Sequence, residues 1–199
     1  MTKGKFIVFE GPDGSGQTTQ LKMLAEKLSV LGYRVVTTAE PTHESKFSLQ
    51  ISEILSHKIK GTPKEIQELI SKDRGEHLKN LILPAIEKGE IVISSRYFYS
   101  TFAYGLIDCD LDWLRSINSS FPSPDITFVL NVCPEVCIER IIRRGKSIQF
   151  FETYETLKKV MENYKKIAAM FSDIRVIDGE RLPEEIHSEV LSLVEKVIK

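Results

Sequence analysis

Five runs of apolar, mostly β-branched residues punctuate the chain: FIVFE at 6–10, RVVTT at 34–38, IVISS at 91–95, ITFVLNV at 126–132 and IRVID at 174–178. They are largely continuous rather than alternating, which suits strands covered on both faces. Between them apolar residues recur at helical spacing. Leu21, Leu24, Leu28 and Leu31 share one face, and Gly32 is placed to stop that helix. Residues 62–89 form a longer pattern, in which Thr62 can cap, Pro63 suits the first turn and Gly89 follows the end. Pro84 is expected to kink its last turns or end it. Segments 134–146, 150–171 and 183–198 read as further helices. With no repeat, low-complexity tract or linker, this alternation predicts one α/β domain over residues 1–199 with a mostly parallel sheet. Ligands of such sheets bind beyond the carboxyl ends of the strands.

Composition narrows the class. At 199 residues, 42% hydrophobic and 28% charged, the chain suits a soluble globule with a substantial core. A net charge of −1 supplies no bulk field for nucleic acid or an anionic membrane, so any basic site must be local. No apolar run reaches membrane length and the N-terminus leads straight into a strand, so neither a span nor a leader is expected. Three cysteines, Cys109, Cys133 and Cys137, point to a reducing cytoplasm. The histidines at 43, 57, 77 and 187 offer no H-x-x-x-H pair, and no dedicated zinc site is expected.

The chemistry concentrates in EGPDGSGQTTQ at 10–20. Gly11, Gly14, Gly16 and Thr18 fit the phosphate-loop pattern G-x-x-x-x-G-K-[ST] at every fixed position but one, between a strand and a helix. Such a loop turns its peptide N–H groups inward around an anion, here from Gly11 through Asp13, Ser15 and Gln17 to Thr19, and the following helix adds its positive end. Thr18 can offer its hydroxyl to Mg²⁺. Gln17 stands where the pattern has Lys. Its amide still donates hydrogen bonds, but without the charge assistance of an ammonium. The loop therefore argues more strongly for phosphate binding than for fast transfer.

Four more stretches make the chain resemble the thymidylate kinases, of the nucleoside monophosphate kinase group of P-loop proteins: AEPTHE at 39–44, SKDRGEHLKNLILPAIEKGEIVISSRYFYSTFAYG at 71–105, PDITFVLNVCPEVCIERIIRRGK at 124–146 and FETYETLKKVMENYKKIA at 151–168. The resemblance implies a three-layer α/β/α P-loop fold with a five-stranded parallel sheet, a short mobile lid at about 140–152, and a homodimer. It implies the reaction ATP + dTMP ⇌ ADP + dTDP with Mg²⁺. It places Asp13, Glu40, Arg74, Arg96, Tyr97, Ser100 and Tyr104 toward the acceptor, with Glu44 a weaker candidate. Tyr164 either joins them or packs in its helix, and Phe98 and Phe102 read as core. The loop at 177–185 falls beside the adenine.

Two residues keep alternatives. Arg74 either binds the acceptor or pairs with Asp73, Glu76 or another carboxylate. Asp13 either approaches the acceptor and metal or simply forms an Asp-Gly turn. In relatives with Gly at position 14 the catalytic arginine comes from the lid, so Arg144 or Arg143 is expected to act there with Gln17 and Asp13, and Arg140, Lys146 and Glu152 lie nearby. The chain departs from the family at several points. Besides Gln17, Ser95 replaces the usual Asp before Arg, Ala39 an Arg, and Ile70 the Phe that stacks on thymine; the lid lacks DR before Phe-Glu. Two alternatives therefore stand beside dTMP phosphorylation: nucleotide binding without efficient transfer, and transfer to another monophosphate such as dUMP.

Overall fold

The computed structural model describes residues 3–145 and 153–198. Its strands are β1 (Lys5–Glu10), β2 (Val35–Ala39), β3 (Ile91–Ser95), β4 (Ile126–Asn131) and β5 (Ile174–Asp178). They form a sheet in the order β2-β3-β1-β4-β5 with every pairing parallel. Alternate residues of β1 serve opposite faces. Phe6 and Val8 join one core cluster, and Ile7 and Phe9 the other. That is why the apolar runs are continuous: both faces of the central strands are covered by helices. The edge strands differ. β2 is only partly buried and β5 buries Ile174 and Ile177 alone, so double coverage holds for β1, β3 and β4.

Helices α1 (Gln17–Val30) and α9 (Pro183–Ile198) cover one face through Leu21, Leu24, Leu28, Ile186, Val190 and Val194. Between β2 and β3 run α2 (Lys46–Leu55), α3 (Pro63–His77), a π-helical segment (Leu78–Ile82) and α4 (Leu83–Glu87). Helix α3 begins with a capping box, Thr62 and Glu65 satisfying each other's backbone, and Pro63 in the first turn. Pro84 does not end the run. It sits in the first turn of α4, where its missing N–H costs little, and the residues before it spread into the π turn. The opposite face is closed by α5 (Phe98–Gly105) and α8 (Tyr154–Ala168), which contribute Phe98, Tyr99, Phe102, Val160, Tyr164 and Ile167. Helices α6 (Leu111–Asn118) and α7 (Pro134–Arg143) complete the described residues. β1, β3 and β4 all end at the same edge, and the loops there build the site.

Candidate active site

The loop after β1 turns at Gly14 and Gly16, with φ of +88° and +102°, values that favour glycine. Gly16 is the N-cap of α1, so the loop delivers the chain directly to a helix N-terminus. Gly14 also passes hard against α7: a Cβ there would lie 2.5 Å from the Cys137 carbonyl oxygen. Gln17 is buried, and its amide turns back into the loop. Nε2 donates to the carbonyl of Gly11 (2.7 Å) and reaches the Ser15 hydroxyl (3.3 Å), while Oε1 accepts from Ser95 (3.3 Å). Thr18 and Thr19 are exposed. A cavity of about 560 Å³ opens here, lined by Asp13, Gly14–Thr19, Ser95, Arg96, Arg140 and Arg144.

Helix α7 supplies the cations. Arg140 clamps two loops, donating to the carbonyls of Ser15 (3.3 Å) and Gly179 (3.1 Å). Arg144, at the end of α7, lines the cavity. Arg143 lies on the solvent side, 75% exposed and paired with Glu139 at 2.6 Å. Lys146 and Glu152 lie outside the described residues. A smaller cavity adjoins, lined by Gly16, Thr19, Gln20, Arg181, Pro183 and Ile186, which brings the 177–185 loop beside the phosphate loop.

On the other side of Asp13 lies a cavity of about 200 Å³. Arg96, directly after β3, stands between the two. Its φ is +72°, a left-handed conformation uncommon for a side-chain-bearing residue. The surroundings hold it: its N–H donates to Phe9, its carbonyl accepts from Ser94, and the next N–H, of Tyr97, donates to Glu10. The guanidinium is thereby aimed at Asp13 (2.9 Å), Ser100 (3.1 Å) and the Tyr104 hydroxyl (3.1 Å), with the Tyr104 ring beneath it. Tyr104 in turn donates to Asp13 (3.1 Å). Burial pushes the Tyr104 hydroxyl up, which keeps it a donor. Asp13 is thus more than a turn-former: it joins the phosphate loop to this cluster.

Arg74 is buried with a carboxylate partner, and that partner is Glu40. The side chains are 1% and 2% exposed, with Nε 2.7 Å from Oε2. Nη1 donates to Thr101 and Asn118, Tyr97 packs its ring against the guanidinium, and His77 holds the other oxygen of Glu40. Asp73 is engaged elsewhere, accepting from Thr42 and Ser45, so it shapes the turn before α2. Tyr97 lines the cavity with its ring but commits its hydroxyl to the carbonyl of Pro122. Glu44 lies on a different cavity with Thr18, His43, Asp73 and His77. Phe98 and Phe102 lie in the core.

Sequence reasoning passed over Glu10. This buried carboxylate ends β1 and accepts from the N–H groups of Tyr97 and Ser100 and from the hydroxyls of Ser100 (2.5 Å) and Tyr164 (2.8 Å). Burial pushes its carboxyl up, against the hydrogen bonds and the charge of Arg96. Its signal was present: an acid at the carboxyl end of an apolar run, where ligands of parallel sheets gather. Tyr164 reaches the site through it. Among the described residues no cluster of three or more His, Cys, Asp or Glu could hold a metal, and no helix is long and apolar enough to cross a membrane.

An all-parallel five-stranded sheet between helical layers, with a glycine-rich loop between its central strand and a helix, defines a P-loop α/β/α nucleotide-binding fold. The thymidylate kinase family model matches residues 9–190. The chain is 41% identical to the probable thymidylate kinase of Pyrococcus horikoshii over 96% of both chains. It is 32% identical to the thymidylate kinase of Caldicellulosiruptor saccharolyticus over 99% of this chain and 98% of that one. It is 35% identical to the probable thymidylate kinase of Sulfurisphaera tokodaii over 98% of both. The chain belongs to the thymidylate kinase family.

Proposed function

We propose that this protein transfers the γ-phosphoryl group of ATP to dTMP, giving ADP and dTDP. One observation carries the reading: Asp13 and Arg96 line both the phosphate-loop cavity and the neighbouring cavity. Two nucleotides, one in each, would bring their phosphates together at that shared wall. An oxygen of the acceptor phosphate then forms a bond to the γ-phosphorus as the bond to the ADP oxygen breaks. Such a transfer asks for positioning and charge stabilisation rather than a side-chain nucleophile.

The loop from Gly11 to Thr19 holds the donor phosphates with its peptide N–H groups. Arg140 fixes that loop against Gly179, and Arg144 offers positive charge to the group in flight. Arg143 would need to exchange Glu139 for the phosphate. Arg96 holds the acceptor phosphate, with Ser100 and Tyr104 beside it, and Arg74 and Tyr97 form the acceptor wall that Glu40 fixes. The exposed Thr18 hydroxyl, with Ser95 near it, fits a Mg²⁺ ion that keeps most of its oxygen ligands from water and phosphate. When bound, the ion neutralises charge on the donor phosphates. The 177–185 loop suits the adenine. A homodimer and a cytoplasmic location complete the reading, the latter because all three cysteines are free.

A second reading, binding without efficient transfer, draws on the inward turn of Gln17. ADP release with Mg·ATP and a panel of monophosphates led by dTMP separates the two, measured beside Gln17→Lys. The kinase reading expects turnover with dTMP well above other acceptors, and a rise in kcat of roughly tenfold or more for Gln17→Lys. Nucleotide binding with no ADP release, restored by Gln17→Lys, would favour the second reading.

A further inference from the structure

Beside Arg96 three side-chain oxygens form a triangle. Oε2 of Glu10 lies 2.5 Å from the Ser100 hydroxyl and 2.8 Å from that of Tyr164, and the two hydroxyls are 3.0 Å apart. Each edge of the triangle has room for one hydrogen-bonding proton. While Glu10 is ionised the three oxygens carry two, both donated to Oε2, and the Ser100–Tyr164 edge is empty. Oε1 is already held by the N–H groups of Tyr97 (2.9 Å) and Ser100 (3.1 Å), so an added proton belongs on Oε2. Glu10 is fully buried, and Ser100 is the corner of the triangle that lines the cavity proposed for the acceptor.

Two carboxylates share one guanidinium here. Arg96 pairs with Asp13 at 2.9 Å, donates to Ser100 at 3.1 Å, and its charge acts on Glu10. The other titratable groups around Glu10 are phenols: Tyr97, at the N-cap of α5, Tyr99 and Tyr104 of that helix, and Tyr164 of α8. Burial pushes all four hydroxyls up, so they stay neutral. Burial already pushes the Glu10 carboxyl up as well. A phosphate on Arg96 adds further negative charge to the same cation, and like charges disfavour the ionised form of a neighbouring acid.

We propose that Glu10 takes up a proton when the acceptor phosphate binds, and that this proton turns Ser100 into a phosphate donor. In the free protein Ser100 accepts from Arg96 and spends its single proton on Glu10. With Oε2 protonated, the carboxyl donates to Ser100 Oγ, and the Ser100 hydroxyl turns to a phosphate oxygen. Tyr164 goes on donating to Oε2. The balance is one proton, drawn from solvent and passed in through the Ser100 hydroxyl, with no other bond made or broken. Glu10 is thus a positioning residue that acts through Ser100. The inference rests on Arg96 holding the acceptor phosphate, as proposed above.

The test is calorimetric binding of dTMP without ATP to the wild type and Glu10→Gln, in buffers of low and high ionisation enthalpy from about pH 5 to 9. Thymidine serves as the phosphate-free ligand, and ADP release is followed in parallel. The buffer dependence of the heat counts protons. The wild type should take up more protons per dTMP than Glu10→Gln, by up to about one, and thymidine should show no such excess. Glu10→Gln presents a permanent donor to Ser100. The wild-type-to-variant affinity ratio for dTMP should therefore fall as pH rises, by up to about tenfold per pH unit, and then level off; the titration of dTMP itself cancels in the ratio. On the wild type alone, adding dTMP should bring up the infrared C=O band of a protonated carboxyl, which decides the matter if the variant does not fold. Equal proton counts for the two proteins, equal counts for dTMP and thymidine, or no carboxyl band would overturn the proposal. ADP release with dTMP alongside any of these sinks the Glu10 assignment and leaves the kinase reading standing. The expected proton counts without ADP release do the reverse, and failure to bind dTMP overturns both.

Discussion

The two sides of the site are built on opposite terms. On the side proposed for the acceptor the charges already answer one another: Arg74 with Glu40, Arg96 with Asp13, and Glu10 with four donors. On the phosphate-loop side the surface is peptide N–H, exposed threonine hydroxyls and the arginines of α7, and the side chain that would carry the loop's own charge is an amide turned inward. The acceptor side is therefore preorganised by its internal pairs, and it is also part of what holds the fold. The side proposed for the donor would take its anion affinity from geometry and from a neighbouring helix. Damage should show as lost stability on the first side and as lost nucleotide affinity or rate on the second.

Arg74→Met sharpens that contrast most. It strands Glu40 in the interior, and breaking a buried pair this way costs about 3–5 kcal/mol. His77 still holds one Glu40 oxygen, which favours the lower figure. Thermal denaturation should show the loss, and adding Glu40→Gln should recover part of it; an unchanged melting temperature would break the comparison. Arg96→Ala comes next. Its side chain is partly exposed, so stability should change less, but kcat/KM with dTMP should fall roughly 10²–10³-fold, as when a group facing transition-state charge is removed.

Gly14→Ala probes the other side. The new methyl meets the α7 backbone and must hold φ near +88°, a strain of about 1–3 kcal/mol. Because α7 carries Arg140 and Arg144, ATP affinity should fall while dTMP affinity stays near wild type, and calorimetry of both ligands checks this. The smallest effect is a pH dependence. Burial raises the Glu10 carboxyl above its ordinary 4.5. The folded protein keeps that proton where the unfolded chain has lost it, so Glu10's contribution is present in acid and declines as pH rises through the raised value. Glu10→Gln lacks this slope. The stability difference between the two proteins should shift as pH rises from about 4 and then level off; a flat difference curve would show that folding leaves the proton affinity of Glu10 unchanged.

What could be read from the sequence followed the range of the interactions. The five strands were legible to within a residue or two because their apolar runs are local. The Thr62 cap of α3 and the stop at Gly32 were legible for the same reason. Helix α5 gave no such sign. Tyr97 at its N-cap offers no side-chain cap; Glu10, 87 and 90 residues away in sequence, accepts from the N–H groups of Tyr97 and Ser100 instead. The loop glycines, Thr18 and Arg96 stood out by motif. The Arg74–Glu40 pair, 34 residues apart, did not reveal which acid Arg74 would choose. Arg143 and Arg144 were interchangeable as neighbours in a charge run, but successive residues at a helix end diverge by about 100°. One meets the cavity and the other Glu139.

The bond from Tyr164 to Glu10 spans 154 residues. On the ribosome that separation becomes time. At about 5–20 residues per second, on the order of ten seconds pass between synthesis of β1 and arrival of the hydroxyl that completes its buried carboxylate. The phosphate loop is made early and the acceptor side is finished late, so a nascent chain can present an anion-binding loop well before it has a second substrate to join to it.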